Sequence, residues 1–295
     1  MATVSCGTKT ERFEFIARNH DRFGVCYLCE HLKVSRSGYY AWLNRKRPKR
    51  AKEDLHLLKA IERIFSESRE TYGSPRVHQA LRREKWYVSR KRVERIMREA
   101  GLKARSARIY RRLGGLHYFF KSIENKRRDL PKPNGLNQHW VADLTYIRIK
   151  GKWRYLAVVL DLYSRRVIGW SMGRKKNVQL TGTALMMAIR KRKPKPGLIF
   201  HTDGGVEYRS YYIQSIHKRY GIVPSMNRPG QCTDNAEMES FFHTLKADLI
   251  HGKRFDTEEK LRYSIAGYLN HFYNRKRLHS SIKYLSPVEY ERIAA

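Results

Sequence analysis

Residues Trp140–Ile149 read WVADLTYIRI and residues Trp153–Asp161 read WRYLAVVLD, with Lys150-Gly151-Lys152 between them. Two runs rich in Val, Ile, Leu and aromatic residues, joined by a short glycine-centred turn, predict a β-hairpin. Asp143 stands in the middle of the first strand, among apolar neighbours, where a buried carboxylate needs a partner. Outward from the hairpin, Arg165–Met172 (RRVIGWSM) predicts a third strand after Tyr163-Ser164. A helix is expected at Val178–Lys191, a short apolar strand at Leu198–His201, a helix at Tyr211–Tyr220 and a strand at Ile222–Ser225. A long helix from Asn235 to Ile250 follows, and a last one lies near Thr257–Asn274. The order β-β-β-α-β-α-β-α is a three-strand meander feeding an α/β half. Periodicity alone supports a mixed α/β domain and goes no further.

Upstream of residue 136 the texture is helical, in short units. Val25–Leu32 and Ser37–Arg45, separated by a turn at Lys33–Arg36, have the shape of a helix-turn-helix. The basic run Arg45–Lys52, interrupted by Pro48, reads as a linker. Helix returns at Glu53–Ser68, with Leu55, Leu58, Ile61 and Phe65 at helical spacing. A second helix-turn-helix follows. Ser74 is expected to cap it with Pro75 in the first helical position, and Val77 and Leu81 face inward. Ser89 caps a further helix, Arg90–Ala100, which Gly101 ends. Its outer face carries Arg90, Lys91, Arg92 and Arg95, with little acid interleaved, as expected of a DNA-contacting helix; Arg76 joins them on the helix before. The expected domains are a helix-turn-helix over 1–47, a second DNA-binding unit over 48–102, a basic linker over 103–136, a core over 137–274, and a basic C-terminal segment over 275–295.

The charge narrows the partners. The 295 residues carry 62 Lys+Arg against 27 Asp+Glu, a net +35, and the excess is spread on both sides of residue 136. Such self-repulsion makes physical sense beside a polyanion, and its spread predicts a folded protein that grips DNA along its length. Hydrophobic residues at 41% exclude a disordered chain. No run of ~18 apolar residues offers a membrane span, and the N-terminus has no signal-peptide core. Four cysteines, at 6, 26, 29 and 232, are too few for a disulfide framework. A reducing, cytoplasmic setting is the expectation.

Three carboxylates stand out by context. Asp143 is in a strand, Asp203 follows an apolar strand and precedes Gly204-Gly205, and Glu239 lies within a helix, with 35 residues between the last two. Carboxylates converging from separate elements can hold two Mg²⁺ ions ~3.5–4 Å apart for phosphoryl transfer. Singly each has a plain reading: a turn-forming Asp, a solvent-facing Glu. As a spaced set they point to metal-assisted chemistry. Asp161 reads as structural, while Glu207 and Glu237 are the rivals for the third ligand. Cys26-x-x-Cys29 with His20 and His31 lacks a second pair at zinc-ligand spacing, and both cysteines fit as small apolar residues on a helix.

The stretches VADLTYI (141–147), LDLYSRRVIGW (160–170), HTDGGVEY (201–208), SMNRPGQCTDNAEMESFFHTLK (225–246) and YNRKRLHSSIKYLSPVEY (273–290) occur in this order. The pattern closely resembles the transposases of the bacterial IS-three family of insertion sequences. It is nearest to their downstream-frame product, whose core is similar to retroviral integrases. The resemblance covers residues 30 to 290, including SRSGYYAWL (35–43) and YGSPRVHQAL (72–81). It implies a ribonuclease H-like core, with a mixed five-stranded sheet and helices, preceded by all-α helix-turn-helix units. It places the metal ligands on Asp143, Asp203 and Glu239, binding Mg²⁺ with Mn²⁺ able to substitute. Lys246 would contact DNA. Asn235, one helical turn before Glu239, is placed either to orient a ligand or the scissile phosphate or to cap the helix alongside Asp234. Arg275, Lys276 and Arg277 form a basic segment expected to touch phosphate.

The implied activity is 3′-end cleavage and strand transfer at element ends, with circularisation preceding insertion. Double-stranded DNA, further copies of the chain and the upstream-frame product are the implied partners. The setting would be the bacterial cytoplasm, at the nucleoid. No heptad stretch of ~3–4 repeats supplies the family's zipper. Two alternatives stay open: a DNA-binding regulator of a longer transposase, and a ribonuclease H-like nuclease that only hydrolyses.

Overall fold

A computed structural model describes residues 8–44, 49–105, 123, 125–127, 130–227 and 235–294. Cys6, Cys232 and most of the basic stretch 103–136 lie outside them. The chain divides into two compact units, Met1–Lys59 and Ala60–Ala295.

The first unit holds α1 (Lys9–Phe23), α2 (Val25–His31) and α3 (Arg36–Leu43). The sequence reading has no counterpart to α1. Its signal was a capping box: the Thr8 hydroxyl accepts from the Glu11 N–H, and the Glu11 carboxylate accepts from the Thr8 N–H. Gly24, at φ +71°, separates α1 from α2. Ser35 caps α3 by accepting from the Gly38 N–H, so that helix starts at Arg36. Phe13, Ile16, Leu28, Cys29 and Tyr39 form the core. Helix α4 (Lys49–Glu67) begins directly after Pro48, so the second half of the stretch read as a linker is helical. A helix starting there loses no hydrogen bond to the proline.

In the second unit, α5 (Ser74–Arg83) and α6 (Arg90–Glu99) bury Val77, Leu81, Val93, Ile96 and Met97. Gly73, rather than Ser74, occupies the cap of α5, and its carbonyl accepts from the N–H groups of Arg76 and Val77. Ser89 caps α6 as expected, accepting from the Arg92 N–H.

The sheet contains β1 (His139–Ile149), β2 (Lys152–Asp161), β3 (Val167–Gly173), β4 (Ile199–Thr202) and β5 (Val223–Met226) in the order β3-β2-β1-β4-β5. The three-strand meander is antiparallel, and β4 and β5 add in parallel beside β1. This is the mixed five-stranded sheet of the ribonuclease H-like fold. Helices cover both faces, which is why β1 and β2 read as near-continuous apolar runs. On one face Val141, Leu156 and Val158 pack on Met238, Phe241 and Phe242 of α10 (Ala236–Leu245) and on Leu261 and Ile265 of α11 (Glu258–Gly267). On the other, Ala142, Ala157, Val159 and Ile168 meet α7 (Val178–Arg192) and α9 (Tyr211–Tyr220). A short α8 (Val206–Arg209) follows β4.

Two long helices expected from the sequence change pitch. The helix Asn235–Ile250 is α10 followed by a π-helical turn, Lys246–Ile250, and the last helix is α11 followed by another, Tyr268–Tyr273. The two turns meet in a buried polar contact, where the Tyr268 hydroxyl and the Arg277 Nε both donate to one oxygen of Asp248, at 2.8 and 2.9 Å.

The C-terminal α12 (Pro287–Ala294) is held by Glu291, which pairs with Arg166 and Arg192 and accepts from the Ser164 hydroxyl. Residues before α5 and within it bond to the same C-terminal stretch. The Tyr72 hydroxyl donates to the Lys276 carbonyl and accepts from the Leu278 N–H, and the Arg76 Nε donates to the Leu278 carbonyl. Among the described residues, no helix is long and apolar enough to cross a membrane.

Gly169 sets the distance between β3 and α7. A Cβ there would meet the Ala184 carbonyl oxygen at 2.2 Å and the Ala188 nitrogen at 2.9 Å, both backbone atoms of a packed helix. Gly169→Ala is therefore expected to cost about 1–3 kcal/mol or more, because neither partner can swing aside. Urea unfolding measures it; an unchanged midpoint would contradict the close approach.

Candidate active site

The pairing of β1 with β4 covers only His139, Trp140 and Val141. Beyond Val141 the two strands part, and Asp143 lies two residues past the parting, paired across to Val158 of β2. Asp203 follows the last residue of β4. The polypeptide must turn sharply there: Gly204 is at φ +73°, and the Gly205 N–H donates back to the Asp203 carboxylate at 3.1 Å. A Cβ on Gly205 would crowd the carboxylates of Glu207, at 2.9 Å, and Asp203, at 3.3 Å. The Gly-Gly pair thus leaves room for acids to gather.

Electrostatics tie the acids together. Asp143 is half-buried, and its pKa is pushed up to about 8. Burial is the largest cause, followed by the charge of Asp203, with Glu239 adding to it; the 2.6 Å bond from the Leu144 N–H works the other way. Asp203 is likewise raised, by burial first and also by Glu207. The Tyr208 hydroxyl is buried beside them and held well above its usual range by burial and by the charges of Asp143, Asp203 and Glu207. Glu239 stands exposed in the first turn of α10, where the helix dipole favours an acid. Among the described residues, no three His, Cys, Asp or Glu side chains are already drawn in to metal-holding distance.

In a chain of net +35 this is a local concentration of negative charge. Lys176 is its main counter-charge, lowering the pKa of both Asp143 and Asp203 and pairing with the buried Glu207 at 3.4 Å. The sequence reading missed Lys176, because a lysine in a basic run before a helix carries no distinguishing pattern. A hard cation with oxygen ligands fits the donor set, since every acid here offers only oxygen and Asp143 resists ionising without one.

The other expected residues scatter. The Lys246 ammonium lies 4.9 Å from the Tyr146 ring centre and feels the Asp143 charge. Asn235 is buried and makes no side-chain cap to α10. Its amide donates to the Ala142 carbonyl at 3.4 Å, and its Oδ1 finds no partner among the described residues. Glu237 turns away to pair with Arg127 at 2.6 Å, its carboxyl held below the usual range despite burial. Asp161 accepts from the N–H groups of Asn137, Tyr163 and Ser164, a structural role. Arg90 and Lys91 are exposed on α6, Arg92 is half-buried and Arg95 pairs with Glu99. Arg76 is half-buried against the Leu278 carbonyl.

Arg275 and Lys276 are exposed, but Arg277 is not available to phosphate. It is only 4% exposed and committed to Asp248, so its place in the basic segment is corrected to a buried ion pair. A run of four polar residues gave no hint which one turns inward. Cys29 is buried in the apolar core of the first unit, Cys26 accepts from Arg36, and the His31 ring packs on Tyr27.

Known proteins are similar to this chain over nearly its whole length. An HTH-like domain family matches residues 52–110, and integrase core domain families match residues 133–232 and 239–293. The transposase InsF for insertion sequence IS3A of Escherichia coli (strain K12) is 36% identical over 282 residues, 95% of this chain and 98% of that one. An IS600 insertion-element protein of 31 kDa from Shigella sonnei is 36% identical over 91% of this chain and 100% of its own. The HTLV-2 integrase catalytic core domain, solved in complex with magnesium, aligns at 18% identity and a TM-score of 0.41, covering 54% of this chain and 98% of its own. A chain of the simian T-cell lymphotropic virus intasome aligns at 14% and 0.46, covering 78% and 74%.

Asp143 keeps its proton in the folded protein up to about pH 8, whereas a free aspartate loses it near 3.8. Between those values the folded state binds more protons, so metal-free stability falls as pH rises. Asp143→Asn should melt no higher than wild type near pH 4 and progressively higher towards pH 9; a difference independent of pH would refute the shift. Arg277→Met leaves Asp248 buried and unpaired, and should cost about 3–5 kcal/mol in denaturant unfolding. Lys276→Ala, at the surface, should stay within about 0.5 kcal/mol; equal effects would return Arg277 to the surface.

Proposed function

The chain belongs to the IS3 family of insertion-sequence transposases, and from that membership we propose that Asp143, Asp203 and Glu239 form its metal-binding catalytic set. The protein is a DNA transposase, a polynucleotidyl transferase with an integrase core. What supports the residue assignment is the parting of β1 and β4 beside Asp143, where the charges of both Asp203 and Glu239 act on the Asp143 carboxyl within an otherwise strongly basic chain.

Asp143 and Asp203 would hold divalent ions, Mg²⁺ by preference and Mn²⁺ in its place, with Glu239 closing onto them from α10. Two such ions would supply Lewis-acid activation of the attacking oxygen and stabilisation of the leaving one. In the first reaction water attacks a phosphodiester at the element end; the P–O3′ bond breaks and a 3′-hydroxyl is freed. In the second, that hydroxyl attacks a phosphodiester of another strand, forming a new P–O3′ bond and releasing the old 3′-oxygen as a hydroxyl. Neither reaction needs a covalent enzyme intermediate. Lys176 balances the acids before the cation enters. The buried Asn235 amide fixes the start of α10 against β1, and so positions Glu239. Lys246, two helical turns beyond Glu239, offers a cation to the DNA beside the cut. Arg90 and Lys91 of α6 would meet the element end, and Arg275 and Lys276 the phosphates. The finer organisation follows the same reading: helical DNA-binding units over 1–47 and 48–102, a basic linker to 136, and the catalytic core over 137–274. Two element ends must be held together, so the active form is a dimer or higher multimer.

The test is a strand-transfer assay with labelled element-end DNA in Mg²⁺, comparing wild type with Glu239→Gln. Joined and cleaved products should fall by about 10³-fold or more, with DNA affinity within about twofold. Undiminished products in the variant would remove Glu239 from the set. Wild-type binding without any cleavage would favour a regulatory role for the chain.

A further inference from the structure

The β1–β2 hairpin carries a surface that the metal chemistry leaves unused. Tyr146 is 52% exposed and Trp153 47% exposed, although both sit in regular strands. Their rings meet edge to face, with centres 5.1 Å apart and planes at 88°. Register explains the contact: Tyr146 is paired with Tyr155 and Arg148 with Trp153, so all four side chains share one face. Tyr155 is partly buried against the core beneath and roots the group. A cation lies over each exposed ring, Lys246 at 4.9 Å from Tyr146 and Arg148 at 5.7 Å from Trp153.

Cross-strand aromatic contacts stabilise hairpins, which would account for one such ring pair. It does not account for two half-exposed aromatic rings, each topped by a separate cation. Apolar rings interleaved with positive charge are the chemistry that recognises single-stranded nucleic acid. Bases stack on the rings, and the cations take the phosphates between them. The place matters too. Tyr146 is three residues beyond Asp143, about 10 Å along the strand at ~3.3 Å per residue but on the opposite face; Lys246, which lies over the Tyr146 ring and feels the Asp143 charge, connects the two. Pairing of β4 with β1 ends at Val141, which opens this side of the strand and lets Lys246 reach Tyr146 from α10's end of the molecule.

We propose that Tyr146 and Trp153, with Arg148 and Lys246, form a stacking platform for unpaired bases of the DNA strand next to the cut. The proposal rests on the assignment of Asp143 to the catalytic set for its location, but not for its binding chemistry. The platform would hold bases that leave the duplex at the element end, so that the scissile phosphodiester is presented on a strand already unstacked.

The test is run in EDTA, where no strand is cut. The probes are a single-stranded 12-mer carrying 2-aminopurine and the same sequence as a duplex. Wild type should quench 2-aminopurine emission on binding the single strand. Tyr146→Ala and Trp153→Ala should each weaken single-strand binding by about fivefold or more and remove the quench, with duplex affinity changed less than about twofold. Tyr146→Phe and Trp153→Phe, which keep a ring, should retain the quench. As a measurement on the unaltered protein, a 5-iodouracil single strand should photo-cross-link to Tyr146 or Trp153, located by peptide mass spectrometry. Adducts only elsewhere, or equal losses for single strand and duplex, would overturn the platform. Loss of strand transfer in Glu239→Gln has no bearing on these readouts, so the platform and the catalytic set fail separately.

Discussion

The structure turns on the parting of β1 and β4 after Val141. Where two parallel strands stop pairing inside a sheet, side chains from both can face one space without a backbone ladder between them. Asp143 comes from the strand that continues and Asp203 from the strand that ends. The result is electrostatically unfavourable alone: burial and mutual repulsion push Asp143 up to about 8. Among the described residues of this net +35 protein, Lys176 and the end of Lys246 are cations that act on Asp143. A bound divalent cation would relieve that repulsion.

The remainder of the second unit holds that parting in register. Helix α10 lies across one face of the sheet through Met238, Phe241 and Phe242, which places Glu239 at its exposed N-terminal turn. The π-helical turns at Lys246–Ile250 and Tyr268–Tyr273 shift the register of both helices, so that Tyr268 and Asp248 meet. Arg277 completes that contact, and the residues around it bond to Tyr72 and Arg76. The helical segment before the core and the C-terminal segment after it are thus joined through the same buried polar seam. Such seams are costly to leave half-satisfied, which makes their geometry specific.

Charge therefore does two jobs with opposite signs. Exposed arginines and lysines on α6 and at Arg275-Lys276 present a surface suited to a polyanion. The acids at the strand parting suit a small cation. The Tyr146–Trp153 pair lies between the two regimes, apolar enough to meet bases and basic enough to sit beside phosphate.

Much of this was written in the sequence. The three apolar runs of the meander, the glycine turn at 150–152 and the cap at Ser89 depend on local propensity, and local propensity is what a sequence displays. The carboxylates Asp143, Asp203 and Glu239 were legible as a spaced set, although not one of them was distinctive alone. Helix α1 was legible too, in the Thr8–Glu11 capping box, but the reading passed over it. Other features depended on contacts between residues far apart in the chain. Nothing local distinguishes Arg277, which is buried on Asp248, from Lys276, which is exposed one residue earlier. Nothing local marks Lys176 as a counter-charge to the acids, or the pitch change at Lys246. The sequence alone determined which elements form and which acidic and basic residue types the chain carries. Only the tertiary structure decided which charges are buried together, because desolvation and pairing energies depend on neighbours that packing, not chain order, supplies.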